Sequence, residues 1–185
     1  MLHYTQNLKK AVREKVRNVP DFPKPGVQFK DITPLLKDAD LFDKTMSYCS
    51  TILKTKGIDK IVCVDARGFI FGSVLANKMS LPLVIARKQG KLPSKTLTNT
   101  YSLEYGTSTI EMHVDDIEED ENVLIVDDLL ATGGTVTAVS NLVQELGGNV
   151  LGFWFLIELS FLKGREKLST NCKNSVTQIH SLIEY

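Results

Sequence analysis

Asn122-Val-Leu-Ile-Val-Asp-Asp-Leu-Leu-Ala-Thr-Gly-Gly-Thr-Val136 is the stretch from which the fold can be read. Val123 to Val126 are four consecutive apolar residues, three of them β-branched, and such a run describes a strand covered on both faces, as in the middle of a parallel sheet. The run stops at Asp127 and Asp128. Ala131-Thr132-Gly133-Gly134-Thr135 then follows as a turn of small and hydroxyl residues opening a helix. Open α/β sheets bind ligands at such strand ends. The glycines let the backbone approach closely, amides converge at the helix N-terminus, and Thr132 and Thr135 add hydroxyl donors, which together make a phosphate cradle. The two carboxylates would repel a second phosphate but accept hydrogen bonds from sugar hydroxyls. A ligand with a phosphate at one end and a ribose at the other satisfies both halves.

Other nucleotide motifs fail on spacing. A Walker loop ends in Gly-Lys-Ser/Thr, and no lysine stands between Glu121 and Leu162. The G-x-G-x-x-G dinucleotide fingerprint is absent. A response-regulator receiver carries its acid pair after the first strand, whereas this pair lies two-thirds of the way along.

The chain of 185 residues is expected to form one domain with a full core. With 22 basic and 22 acidic side chains, nothing in the bulk charge favours nucleic acid or an anionic membrane as partner. No apolar run reaches transmembrane length and the first residues do not read as a signal peptide, so a cytoplasmic location is expected. Cys49, Cys63 and Cys172 share no metal-ligand spacing and read as reduced, packed thiols. His3, His113 and His180 are scattered, and none is assigned a catalytic role.

Leu8, Val12 and Val16 recur every four residues among basic side chains, an amphipathic helix. Pro20 to Pro34 holds four prolines and a glycine and predicts an irregular or extended loop. Asp40 is the expected N-cap of a helix carrying Leu41, Met46, Cys49 and Leu53 and ending at Gly57. Lys60 to Asp65, Leu83 to Ala86 and Val150 to Ile157 read as further buried strands, and a helix is expected from about Phe69. Thr109 to Val114 alternates like a strand. Asp115 to Glu121, six acids in seven residues, predicts a solvated turn. Val136, Val139, Leu142, Val143 and Leu146 mark a helix closed by Gly147-Gly148, and the tail from Ser175 is expected to add a last strand. Strands alternating with helices imply an α/β fold, a mostly parallel twisted sheet flanked by helices. Arg67 follows a strand end at a small-residue turn. The residues alone admit both a pyrophosphate contact and a surface arginine capping that turn.

The strand, Asp127-Asp128 and the Ala131 to Thr135 turn resemble the phosphoribosyl pyrophosphate (PRPP) motif of the type I phosphoribosyltransferases, here over residues 123–135. Asp21-Phe-Pro-Lys-Pro-Gly-Val-Gln-Phe-Lys-Asp-Ile-Thr-Pro34 is similar to the hood of the adenine phosphoribosyltransferases, about residues 20–36. Asp65-Ala-Arg-Gly-Phe-Ile-Phe-Gly72 is similar to that family's pyrophosphate loop. Arg87-Lys-Gln-Gly-Lys-Leu-Pro93 with Tyr101-Ser-Leu-Glu-Tyr-Gly106 is similar to its flexible catalytic loop, about residues 87–110.

The resemblance implies transfer of the phosphoribosyl group from PRPP to adenine, giving AMP and pyrophosphate. Asp127 and Asp128 would hold the ribose hydroxyls, Ala131 to Thr135 the 5′-phosphate, and Ala66, Arg67, Arg87, Lys88 and Lys91 the pyrophosphate. Phe29 would stack on the base, main-chain groups around Gln28 would read its edge, and Leu159 would form the opposite floor. Lys30 stands where the family has arginine, and an ammonium cannot reproduce a planar guanidinium fork. Glu104 and Tyr105 would close over the reacting base, with Glu104 a candidate to take its proton and, as the plainer alternative, a bridge between loop charges. The resemblance further implies a cis peptide at Asp65-Ala66, Mg²⁺ held mainly by substrate, and a homodimer in which Arg87 reaches the partner's site. Transfer to a 6-oxopurine, or a non-catalytic PRPP-sensing regulator, are the alternatives.

Overall fold

The computed structural model describes residues 2–102, 106–171 and 178–185. It divides into two compact units, Met1–Ile52 and Leu53–Tyr185.

In the first unit, helix α1 (Leu2–Lys15) buries Leu8 and Val12, the stripe its four-residue repeat announces, with Val16 buried just beyond its end. The proline-rich segment expected to be irregular is instead a hairpin: β1 (Arg17–Pro20) pairs antiparallel with β2 (Gln28–Asp31). Proline is tolerated because Pro20 ends its strand, while Pro23 and Pro25 fall in the connection and Pro34 lies in the first turn of the short helix α2 (Thr33–Leu36). In α3 (Ala39–Leu53), Asp38 rather than Asp40 accepts the Leu41 amide at 3.1 Å, and Asp40 pairs with Lys44 one turn on. Gly57, with φ 69°, ends the following 3₁₀ turn as expected.

Asp31 receives the Thr33 amide at 2.9 Å and the Arg17 Nε at 2.9 Å, and these donors hold its carboxyl at about 2 instead of 3.8. A depressed folded pKa means that the ionised group stabilises the fold above the unfolded value and loses that contribution as pH falls toward about 2. Asp31→Asn is therefore expected to flatten the acid limb of the stability curve between those two values. Urea titrations across that range check it, and an unchanged acid limb would contradict it.

The second unit is built on a seven-stranded sheet in the order β5-β6-β4-β3-β7-β8-β9. Its members are β3 (Lys60–Val64), β4 (Leu83–Lys88), β5 (Thr96–Ser102), β6 (Thr107–His113), β7 (Asn122–Leu130), β8 (Asn149–Glu158) and β9 (Gln178–Glu184). β4, β3, β7, β8 and β9 run parallel, and β5-β6 is an antiparallel extension at one edge. Much of the span of about 87–110 that resembles a flexible loop is strand. Arg87 and Lys88 finish β4, opposite Glu111 and Ile110 of β6, and residues 89–95 form the connection. The final strand expected in the tail is β9, at the other edge.

Because alternate strand residues face opposite ways, the sheet has two cores. Val62, Val64, Val123, Ile125, Phe153 and Phe155 face α5 (Gly134–Glu145) through Val136, Val139, Leu142 and Val143. On the other face, α4 (Gly68–Met79) lies against β3 and β7, and Phe71 meets Trp154 with ring centroids 5.8 Å apart. The seat of α4 depends on a missing side chain: a Cβ on Gly72 would stand 2.4 Å from the Cβ of Cys63. Gly72→Ala is expected to destabilise the protein by about 2 kcal/mol or more, the scale of core overpacking. Unfolding in urea measures it, and an unchanged midpoint would mean that α4 can shift freely.

Cys49 and Cys63 are buried and not in disulfides, as expected, and Cys172 lies outside the described residues. The acidic turn is not wholly solvated: Glu121 pairs with Lys60 at 2.6 Å, Asp116 takes the His113 amide at 2.9 Å, and Ile117 is buried between them in sequence. Among the described residues, no helix is long and apolar enough to cross a membrane.

Candidate active site

From β3 the chain steps outward through α4 to β4 and returns through β5 and β6 to β7 on the other side of β3. Strand order reverses between β3 and β7, and connections leaving in opposite directions open a crevice at the strands' carboxyl ends. A cleft of about 450 Å³ lies there, with Asp65, Ala66, Arg67, Asp127, Asp128 and Thr135 in its wall.

The acids occupy this position because of register. β7 was expected to stop at Val126; it continues to Leu130 because β8 stays paired with it through Leu130 opposite Glu158. Its pairing with β3 ends earlier, at Cys63 opposite Val126. Asp127 and Asp128 therefore stand on a stretch of strand that has lost one neighbour. Gly68 allows the start of α4 to close on them, since a Cβ there would stand 2.9 Å from the Val126 carbonyl oxygen and 3.0 Å from Asp127 Oδ1.

Burial and the adjacent Asp128 push the Asp127 carboxyl well above its usual range. Burial also raises Asp128, opposed by Arg67, whose Nε is 2.9 Å from Asp128 Oδ2. That contact is a charge pairing without hydrogen-bond alignment, and Asp128 Oδ2 has no hydrogen-bond donor among the described residues although Asp128 is only 3% exposed. A buried carboxylate oxygen without a donor is a place for a ligand hydroxyl. Arg67, read as a pyrophosphate contact or a turn cap, here neutralises Asp128.

The turn after β7 is set by close backbone packing. Gly133 takes φ 78° and precedes α5, which has no side-chain N-cap, so its first amides are not filled by a side chain. The turn backs onto Gly164, where a Cβ would fall 2.2 Å from the Ala131 carbonyl oxygen. Gly164 opens α6 (Gly164–Asn171), pinned by its neighbour Arg165, whose Nε donates to Glu158 at 3.0 Å and whose Nη1 donates to the Ile179 carbonyl at 2.8 Å. Thr135 donates to the Tyr101 hydroxyl oxygen at 3.2 Å, which ties the turn to β5.

On the cation side, the Asp65-Ala66 peptide is cis. Arg87 Nε donates to Asp65 at 3.2 Å, and its guanidinium lies 6.0 Å from the Phe69 ring centroid. Lys88 lines the cleft, and Lys91 is exposed on the connection after β4. Leu159 is buried, its amide donating to Leu130. Gln28, Phe29 and Lys30 lie in the first unit, where Asn18 links Lys30 (3.1 Å) and Gln28 (2.7 Å). Glu104 and Tyr105 fall outside the described residues.

Sequence reasoning assigned no separate role to Asp65, Tyr101 or Glu111. Asp65 was legible as a carboxylate at a strand end. Tyr101 was visible only as the first residue of the loop resemblance, and its bond to Thr135 was not, since the pairing that delivers it is nonlocal.

The model of the phosphoribosyl transferase domain matches residues 34–183, most of the chain. The chain belongs to this family. Among curated relatives of this phosphoribosyl transferase, the adenine phosphoribosyltransferase of Natranaerobius thermophilus is 52% identical over 157 residues, 85% of this chain and 92% of that protein. The adenine phosphoribosyltransferase of Cytophaga hutchinsonii is 45% identical over 178 residues, 96% of each. Among solved structures, the adenine phosphoribosyltransferase of Thermoanaerobacter pseudethanolicus superposes with a TM-score of 0.89 at 46% identity, covering 96% of this chain and 99% of that one. The Saccharomyces cerevisiae enzyme, solved with an imino-altritol bisphosphate and adenine, gives 0.88 at 35% identity with 96% and 99% coverage.

Proposed function

We propose that the protein transfers the 5-phosphoribosyl group of PRPP to N9 of adenine. The N9–C1′ bond forms, the bond from C1′ to the pyrophosphate oxygen breaks, and the products are AMP and pyrophosphate. One observation carries the reading: two adjacent acids, Asp128 buried and Asp127 half-buried, line a cleft beside a glycine-opened helix start at the switch point of the sheet.

Displacement at an anomeric carbon passes through an oxocarbenium-like state, with positive charge growing on the ribose and negative charge on the leaving group. In this reading Asp127 and Asp128 accept the ribose hydroxyls, and their charge stabilises the ribosyl cation as C1′ opens. Ala131, Thr132, Gly133, Gly134 and Thr135 hold the 5′-phosphate on amides and hydroxyls. Ala66, Arg67, Arg87, Lys88 and Lys91 receive the pyrophosphate. When PRPP binds, its hydroxyls compete for Asp128, and Arg67 then turns part of its charge to the leaving group. Gln28, Phe29, Lys30 and Leu159 keep the roles toward adenine that the family resemblance gives them. Glu104 takes the proton that N9 gives up, beside Tyr105.

Mg²⁺ suits this donor set. The cleft offers carboxylates of which one oxygen lacks a donor. Mg²⁺ is ordinarily held by substrate phosphates, hydroxyls and water, where it would neutralise leaving-group charge. Asp127 and Asp128 would hold the hydroxyls next to it. A homodimer in the cytoplasm completes the proposal.

Incubation with PRPP, Mg²⁺ and each purine base in turn tests it. AMP should form from adenine, with no nucleotide from hypoxanthine or guanine. Product from the 6-oxopurines would move the assignment to that class, and no product from any base would leave a binding protein. Light scattering of the purified chain tests the dimer.

A further inference from the structure

Glu111 sits in the middle of β6, 3% exposed, and contacts neither Asp127, Asp128 nor the phosphate turn in any bond described above. Its Oε1 accepts the backbone amides of Lys91 and Leu92 at 2.9 Å each, and its Oε2 faces the Thr96 hydroxyl at 3.3 Å. A carboxylate this deep is costly unless donors compensate it. Among the described residues no cation pairs with it. Its compensation comes from the main chain of the connection 89–95 and from the first residue of β5. These donors outweigh burial and keep the carboxyl below its usual range. The connection cannot lift away without stranding a buried charge.

The consequence reaches the cations. Lys91 is clamped on both sides, its amide by Glu111 and its carbonyl by Arg87 Nη1 at 3.0 Å. Arg87 stands opposite Glu111 in the β4-β6 register and reaches Asp65 at 3.2 Å. One acid thus fixes the peptide that fixes Arg87 beside the cis turn.

We infer that Glu111 is a positioning residue: its carboxylate sets the main chain of residues 89–95 and thereby places Arg87 and Lys91 for the diphosphate end of the donor substrate. This rests on the function proposed above. Glu111 acts only through that peptide, so it should govern the donor and leave the acceptor base untouched.

Three measurements on the full-length protein test it. Glu111→Gln keeps one acceptor oxygen but loses the charge, and is expected to raise KM for PRPP by about tenfold, the scale of one charge-assisted hydrogen bond. Glu111→Ala should raise it further, with KM for adenine unchanged in both variants and the melting temperature of the Gln variant lowered only slightly. In an Arg87→Ala background the Glu111→Gln effect should shrink, because both changes break one chain of contacts. The third needs no variant: in the unaltered protein, amide exchange at Lys91 and Leu92 should be slow although the segment is exposed.

An unchanged KM for PRPP in both variants overturns the inference. So does a common shift of both KM values with the melting temperature, which would mark Glu111 as structural only, or amides at 91 and 92 exchanging as fast as unstructured chain. If the unaltered protein makes no AMP, the proposed function has failed, and the exchange rates still decide whether the clamp exists.

Discussion

Replacing Asp127 and Asp128 together by asparagine is expected to lower turnover about 10²- to 10³-fold, the scale of removing a preorganised electrostatic contact, and to leave the protein folded. Asparagine matches the shape of each carboxylate and still accepts a hydrogen bond, so the packing under Gly68 survives. What disappears is the negative charge that the proposed function sets against the ribosyl cation. The sign of the stability change separates this from unfolding. Burial raises both carboxyls, so the ionised pair costs stability that is recovered as pH falls through the raised folded values. The double variant should therefore be at least as stable as the unaltered protein near neutrality, with a flatter pH profile. Arg67 loses a partner but is partly exposed and can be solvated. Steady-state kinetics beside thermal melting distinguishes the outcomes. A fully active double variant would refute the ribose assignment, and a collapsed one would make the acids structural.

Gly164→Ala is expected to cut kcat/KM for PRPP about 10²-fold, because a displacement near 1 Å is enough to spoil a binding geometry. A new Cβ would fall 2.2 Å from the Ala131 carbonyl oxygen and 2.9 Å from Leu130 Cδ1. The first of these is backbone and cannot rotate aside. α6 cannot yield easily either, since the Arg165 fork holds it to Glu158 at the end of β8. The phosphate turn must move instead. Gly164 is not at positive φ, so the penalty is contact and not conformation. Gly57→Ala is the contrasting variant, strained at φ 69° but with open space around it and outside the cleft wall, and its effect should be confined to stability. KM for PRPP measured on both separates the cases. An unchanged value for Gly164→Ala would mean that the 5′-phosphate is bound elsewhere.

Sequence was most informative where a physical requirement is local. A run such as Val123 to Val126 must be buried on both faces, a stripe such as Leu8, Val12 and Val16 must lie on one side of a helix, and Gly133-Gly134 after two acids must turn. These gave the parallel strands, the main helices and the cradle. It was least informative where the partner is distant in sequence. Pro20 to Pro34 read as irregular because proline argues against strand, yet a hairpin needs only that prolines fall at strand ends and in the connection. The flexible loop of about residues 87–110 rested on resemblance alone, and only the pairing with β6 makes Thr96 to Ser102 a strand.

The sequence by itself determined which chemical groups the site contains: two acids, a turn of glycines and threonines, and cations after two strands. The tertiary structure alone decided how those groups are paired. Arg67 answers Asp128, Asp65 answers Arg87, and Glu111 answers the amides of Lys91 and Leu92. Each pair joins segments brought together by strand order and register. Charge compensation depends on distance and burial, which no single stretch of chain encodes.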